Sequence, residues 1–285
     1  MDSDADHQAP PELGLRTAIW DAIRGTRQDY TQGPVGRAIL LLAVPMVLET
    51  VMESVFAVVD VFFVSRLGHQ AVTTVGLTES MLAIVYTVAI GLSIGATAMV
   101  ARRIGEKDVD GAARAAVQCV ALGVGVAAVI GVIGATQAPR LLALMGAEPE
   151  VIEVGVSYTR LMLGANVTVT LLFLMNAIFR GAGDAVIAMR VLWLANIINI
   201  VLDPMLIFGI GPFPELGIQG AAVATNIGRG TAVVAQLVLL VRGTGRVDIE
   251  RRHLRLIPAV MLRLLRLSGT GTFQVFIGTA SWIGL

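Results

Sequence analysis

The chain has 285 residues, 55% of them hydrophobic and 15% charged, with no net charge, against roughly 25% charged in an ordinary soluble domain. That composition argues against a soluble enzyme. At about 20 apolar residues per membrane-spanning helix the length holds at most about seven spans, and balanced charge with 5% aromatic content removes the basic, stacking surface of a nucleic-acid binder.

The first 33 residues are polar, with Asp2, Asp4, Asp6, Arg16, Arg24 and Arg27. They lack the apolar core of a cleavable signal peptide and read as a retained tail. Apolar runs follow at about residues 36–65, 75–101, 112–135, 151–179, 185–209 and 217–241, which predict six transmembrane helices within a unit spanning residues 34–241. They are too long and too little interrupted for the ten-residue alternating segments of a β-barrel. The basic stretch 242–260 reads as a linker between lobes. Residues 261–285 read as the start of a seventh span: 261–267 leads into an apolar run, 272–285, too short to cross about 30 Å of hydrocarbon at about 1.5 Å per residue. The sequence is therefore expected to be a fragment ending inside that span; a short re-entrant or buried C-terminal helix is the other reading.

Arg16, Arg24, Arg27 and Arg37 lie at the start, and Arg102, Arg103, Lys107, Arg114, Arg180 and Arg190 fall near the even-numbered connections. Arg242, Arg246, Arg251, Arg252, Arg255, Arg263 and Arg266 follow the sixth helix. Only Arg66 and Arg140 fall on the opposite side, with Arg160 and Arg229 inside helices. Positive charge marks the cytoplasmic side, so the N-terminus and the 242–260 linker are predicted cytoplasmic, in a multi-pass protein of the cytoplasmic (inner) membrane.

Ionisable groups inside a span are costly and point to function. In the first predicted helix Glu49, Glu53 and Asp60 are spaced four and seven apart, which keeps them within an arc of roughly 40°. Glu49 and Glu53 either reach water near a helix end, pair with Arg160 or Arg229, or line a site. In the fifth helix Asn196, Asn199 and Asp203 share a face, and Pro204 removes a backbone donor beside the carboxylate. Carboxylate, amides and freed carbonyls suit a cation or proton site. Asn176 in the fourth helix and Thr225 and Asn226 in the sixth add polar groups, with interhelical hydrogen bonding as their plain alternative role. Glu79 reads as interfacial.

Other chemistry lacks residues to carry it. Cys119 stands alone in an apolar run, as a small packing residue, and His7, His69 and His253 sit in polar flanks, where they are expected to be solvated. The one lysine, Lys107, follows Glu106, so the Gly-Lys-Ser/Thr of a P-loop is absent. Gly91 and Gly95, Gly123 and Gly125, and Gly131 and Gly134 read as close-packing surfaces between helices. Pro45 lies one turn before the acidic face of the first helix, where it acts as a bend.

Several ordered motifs resemble the multidrug and toxic compound extrusion (MATE) transporters, most closely their DinF-like branch: Ala43-Val-Pro-Met, Val59-Asp-Val-Phe-Phe-Val-Ser-Arg-Leu-Gly, Ala98-Met-Val-Ala-Arg-Arg-Ile-Gly, Phe179-Arg-Gly-Ala-Gly-Asp, Asn199-Ile-Val-Leu-Asp-Pro and Gly220-Ala-Ala-Val-Ala-Thr. The resemblance runs from residue 34 to the end. It implies an all-α polytopic membrane protein, the six-helix N-terminal lobe of a twelve-helix transporter plus the start of helix seven, with a C-lobe expected in the full-length chain. It implies that Asp60, Asn199, Asp203 and Thr225, with Asn176 nearby, line a pocket for H⁺ or Na⁺, and that Pro45 marks the bend of the first helix. Two departures stand out. Glu53 replaces an amide common in relatives and adds a titratable group to the pocket, and Leu172 and Phe173 replace asparagines found in some, making that wall more apolar.

The expected function is a cation-coupled antiporter, not an enzyme, exporting small organic cations or amphipathic drugs by alternating access, with membrane lipid around it and no cofactor beyond the coupling ion. Two neighbouring carboxylates disfavour joint ionisation, so one of Asp60 and Asp203 is expected to take a proton near neutral pH, and Na⁺ would use Asp60, Asn199, Asp203 and Thr225. The alternatives are a lipid-linked precursor flippase, which would need several Arg or Lys in its cleft to hold diphosphate, and a non-transporting truncated half-transporter.

Overall fold

The computed structural model describes residues 15–25 and 35–283, and among them the regular structure is entirely helical. The elements are α1 (Leu15–Arg24), α2 (Val35–Ser65), α3 (His69–Gly105), α4 (Val109–Leu144), α5 (Pro149–Gly164), α6 (Asn166–Gly181), α7 (Ala185–Phe208), α8 (Ile218–Val241) and α9 (Pro258–Ile283), with a single 3₁₀ turn at Arg251–His253. Among the described residues six stretches are long and apolar enough to cross a membrane: α2, α3, α4, α5 with α6, α7 and α8. They are the six predicted helices with later or earlier ends, because apolar periodicity locates a helix centre better than its caps.

Three features differ from the sequence reading. The fourth predicted helix, 151–179, is broken at Ala165 into α5 and α6. Asn166 stabilises the break by donating from Nδ2 to the Leu163 carbonyl at 2.6 Å and to the Ala127 carbonyl of α4 at 3.0 Å, meeting an acceptor that the broken ladder releases. The tail also contains order, since α1 docks on α2 and α7, and Arg190 donates to the carbonyls of Arg24 at 2.9 Å and Ile23 at 3.4 Å at the end of α1. Finally, α9 starts at Pro258, inside the predicted linker, and runs for 26 residues, about 39 Å at 1.5 Å per residue. The segment judged too short to span therefore belongs to a helix long enough to do so. Pro45 and Pro204 both lie within continuous helices, α2 and α7.

In lipid, helices gain little from the hydrophobic effect and associate by close packing of small residues. The core has that composition: Ala96, Ala112, Ala113, Ala116, Cys119, Ala177 and Ala188 sit fully buried between α3, α4, α6 and α7. A β-carbon on Gly123 would meet Leu174, one on Gly131 the Gly164 carbonyl, and one on Gly134 Leu163, while Gly125 faces open space. Gly91 and Gly95 admit α9, with Thr272 and Ser268 against them.

The basic connections converge at one end of the bundle. Arg246 donates its backbone N–H to Asp184 at 2.8 Å and Arg252 pairs with Asp110 at 3.0 Å, joining the α8–α9 connection to the α6–α7 connection and to the start of α4. At the α3–α4 corner Arg102 hydrogen-bonds Glu106 and holds its carboxyl below the usual carboxylate range. His253 corrects its expected solvation. It is 4% exposed, its Nδ1 accepts from the Glu250 backbone N–H, and its Nε2 lies 3.2 Å from Asp110. His69 is exposed, as expected, and His7 lies outside the described residues.

Candidate functional site

Helix α2 packs chiefly on α1 and α7 and touches α3 and α8 only sparsely. A cleft of about 550 Å³ opens beside it, walled by α2, α3, α5, α6, α7 and α8. Part of the wall is apolar and aromatic, with Phe56, Tyr158, Leu172 and Phe173, and the Tyr86 and Phe173 rings pack as a tilted pair with centroids 6.0 Å apart. Leu172 and Phe173 thus make that wall apolar, as expected of them.

The acidic face of α2 points into this space: Glu49, Glu53 and Asp60 all line it. Glu49 pairs with neither Arg160 nor Arg229. Its Oε2 accepts from Arg180 Nη1 of α6 at 2.8 Å, tying α2 to α6, and Trp193 of α7 adds a hydrogen bond to the Leu48 carbonyl at 3.2 Å. Arg160 is exposed. Glu79 is not merely interfacial, because it lines the same cleft and accepts from the Tyr86 hydroxyl at 3.4 Å.

Asn199, Asp203 and Thr225 come together where α7 meets α8. The approach is close because Gly228 puts no side chain against the Ala195 carbonyl, and Gly220 none against that of Leu206. Asn199 Nδ2 donates both its protons, to Asp203 Oδ1 at 3.3 Å and to Thr225 Oγ1 at 3.1 Å. All three are buried, at 2%, 0% and 6% exposure respectively. Thr225 forms part of the cleft wall, which connects the cluster to the cavity. The Asp60 carboxylate lies within electrostatic range of Asp203. Asp203 Oδ2 and Asn199 Oδ1 are buried without a hydrogen-bond partner among the described residues. The carboxylate oxygen can take a proton, and both oxygens can serve a hard cation, which takes oxygen ligands.

The remaining candidates lie outside the Asn199–Asp203–Thr225 cluster. Asn176 lines the cleft but is bound to Gln236 of α8, which donates from Nε2 to Asn176 Oδ1 at 2.7 Å. Asn226 bonds Thr168 at 2.9 Å as interhelical glue. Pro204 follows Asp203 within α7, and Pro45 lies one turn before Glu49 on α2. Spacing along the chain does not single out Gln236, Arg180 or Arg229 as site residues, since each lies on a different helix from its partners. The intramembrane charge of Arg229 was the signal available for it.

The family model MatE matches residues 45–205. Among curated proteins, a FAD transporter of Shewanella oneidensis is 32% identical over 70% of this chain and 44% of its own length. A probable multidrug resistance protein of Bacillus subtilis, YoeA, is 28% identical over 90% of this chain and 57% of its own. Among solved structures, a MATE in the bent conformation superposes with a TM-score of 0.79 at 28% identity, over 93% of this chain and 57% of that one. A Pyrococcus furiosus transporter of the MOP superfamily, described as having reversed binding-pocket polarity, gives the same TM-score and identity over 93% of this chain and 56% of that one. The chain spans about half the length of these relatives. With six apolar helices arranged as in solved MATE structures and a family model matching residues 45–205, the chain is a multi-pass membrane protein that belongs to the MATE family.

Proposed function

We propose that this chain is the N-terminal lobe of a cation-coupled antiporter that exports amphipathic organic compounds from the cytoplasm across the inner membrane, its basic end and N-terminus cytoplasmic and a second lobe completing the cleft. The observation that carries this reading is the buried Asn199–Asp203–Thr225 cluster with two unpartnered oxygens, opening through Thr225 on a cavity that Asp60 also lines. A proton or Na⁺ taken up there competes with a substrate for the acidic cavity. Transport follows only if ion and substrate bind the two access states with different affinity, since a ligand indifferent to the two states shifts nothing. The multidrug resistance relatives support drugs as the cargo, and the aromatic and apolar wall suits flat amphipathic molecules.

The full-length protein in a pump-deficient host tests this. Asp60→Asn and Asp203→Asn variants are expected to lose most dye efflux, and a protonophore or withdrawal of Na⁺ identifies the coupling ion by abolishing wild-type efflux. Full efflux in both variants, with unchanged pH and Na⁺ dependence, would overturn the proposal.

A second reading has one observation in its favour. The cleft carries Arg180 and Arg229, and the Shewanella relative is a FAD transporter, so an anionic aromatic cargo is compatible with the cavity. A diphosphate-binding flippase is less well supported, because Arg180 is already paired with Glu49 and four carboxylates share the cavity.

A further inference from the structure

A second cavity, of about 150 Å³, lies at the basic end of the bundle between α1, α2, α7 and the α6–α7 and α8–α9 connections, and it shares no lining residue with the central cleft. Part of its lining is apolar, with Ala22, Leu41, Val186 and Ile187, and two arginines stand in its wall, Arg24 of α1 and Arg190 of α7. Both are exposed, so their donors are reachable from outside. Arg190 commits only Nη2 to the protein, on the carbonyls of Arg24 at 2.9 Å and Ile23 at 3.4 Å, and the Arg24 guanidinium lies 4.9 Å from the centroid of the Trp20 ring. Among the described residues neither guanidinium pairs with a carboxylate. Asp184, in the same wall, accepts from the Arg246 backbone N–H at 2.8 Å, with the Arg246 Nε 3.8 Å from its other oxygen. Asp21 is the other acid of the lining. With Asp184 balanced by Arg246, the described residues leave an excess of one positive charge, which matches the single negative charge of a phosphodiester better than a multiply charged phosphate. The first turn of α7 reaches this wall as well, and the positive end of a helix dipole favours an anion there.

The surroundings are those of a lipid surface. Trp20 is 54% exposed on α1, as tryptophans at a membrane–water interface are. Val35 and Ile39, in the turns of α2 that precede Leu41, are exposed apolar surface of the kind that acyl chains cover. We propose that this cavity binds the headgroup phosphate of an anionic phospholipid, with Arg24 and Arg190 donating to its oxygens and its acyl chains lying along the start of α2. The lipid would fasten α1 to α7 at that end of the bundle, apart from the central cleft and whatever it carries.

Native mass spectrometry of the purified full-length protein, given phosphatidylglycerol or phosphatidylcholine at equal concentration, reads the site directly. The wild type is expected to retain phosphatidylglycerol at least roughly tenfold more tightly, the effect of charge-assisted hydrogen bonds to one phosphate. Arg24→Gln is expected to lose several-fold of that preference, and since Arg190 holds backbone carbonyls of α1, α1 stays docked in this variant. The double variant Arg24→Gln/Arg190→Gln is expected to lose the preference. Arg114→Gln/Arg242→Gln, which removes two other exposed arginines, is expected to keep it. Equal retention of the two lipids, retention of neither, an unchanged preference in Arg24→Gln, or an equal loss in the Arg114/Arg242 pair overturns the proposal, the last by showing attraction to a basic surface rather than a site. Displacement of the lipid by an equal concentration of inorganic phosphate overturns it too, because the site would then serve a free anion.

Discussion

Asn199 holds the central cluster together with a single amide, whose two protons go to Asp203 on its own helix and Thr225 on the next. Removing it strands a buried carboxylate oxygen, and an unsatisfied buried acceptor costs about 1–3 kcal/mol. Asn199→Ala is therefore expected to destabilise the full-length protein by about that amount in a denaturation series. Val234→Ala, on the exposed face of α8, should change stability far less. For single residues the sequence was informative about one side of each contact. Spacing placed Asn199 with Asp203, and Glu53 with Asp60, because both pairs share a helix. It did not show that Asn176 answers to Gln236, that Glu49 answers to Arg180, or that His253 is enclosed by Asp110 and the Glu250 backbone. Those partners lie between 60 and 143 residues away or in a turn whose enclosure depends on α4.

Small residues set how the helices meet. Gly91 and Gly95 of α3 face Thr272 and Ser268 of α9, each pair four residues apart, so both helices present one flat stripe and their backbones come close. A side chain at Gly91 overlaps Thr272 down to its backbone, so Gly91→Val is expected to push α9 away from α3. An ideal β-carbon at Gly271 lies 3.2 Å from Ile94 Cβ, near the separation a disulfide requires. A cysteine pair replacing Ile94 and Gly271 should thus cross-link readily in the otherwise wild-type protein and several-fold less when Gly91→Val is added. Equal cross-linking would show that Gly91 does not set the approach of α9 to α3. The break at Ala165 is likewise a matter of helix against helix. Gly164 stands at its edge but does not by itself end a helix, and Asn166 supports the break through a carbonyl of α4, so an apolar run read by itself continues straight through.

For the whole molecule, the connection between α8 and α9 is latched to α4. Gln118, fully buried, donates from Nε2 to the Arg255 carbonyl at 2.9 Å and accepts from the Ile257 N–H at 2.8 Å. Gln118→Leu conserves the shape while deleting both bonds, at about 1 kcal/mol each. Local opening of the connection should then rise roughly tenfold or more. Trypsin cleavage after Arg251, Arg252 or Arg255 is expected to accelerate accordingly in inside-out vesicles, and to be absent in right-side-out ones given a cytoplasmic basic end. Unchanged cleavage in the variant would show that the latch does not hold the connection.

Six apolar spans, the segregation of arginine to alternate connections, and the helix faces that carry Asp60, Asn199 and Asp203 were all legible along the chain. Each follows from length, period or local charge, which survive without knowledge of the neighbours. Only the packed bundle shows that α2 stands away from α3 and α8 to open a cleft, that Asn199 joins Asp203 to Thr225, and that Arg229 lines the cavity. Those outcomes turn on which small residues let which backbones approach, and in a bundle that choice is made between helices rather than along them.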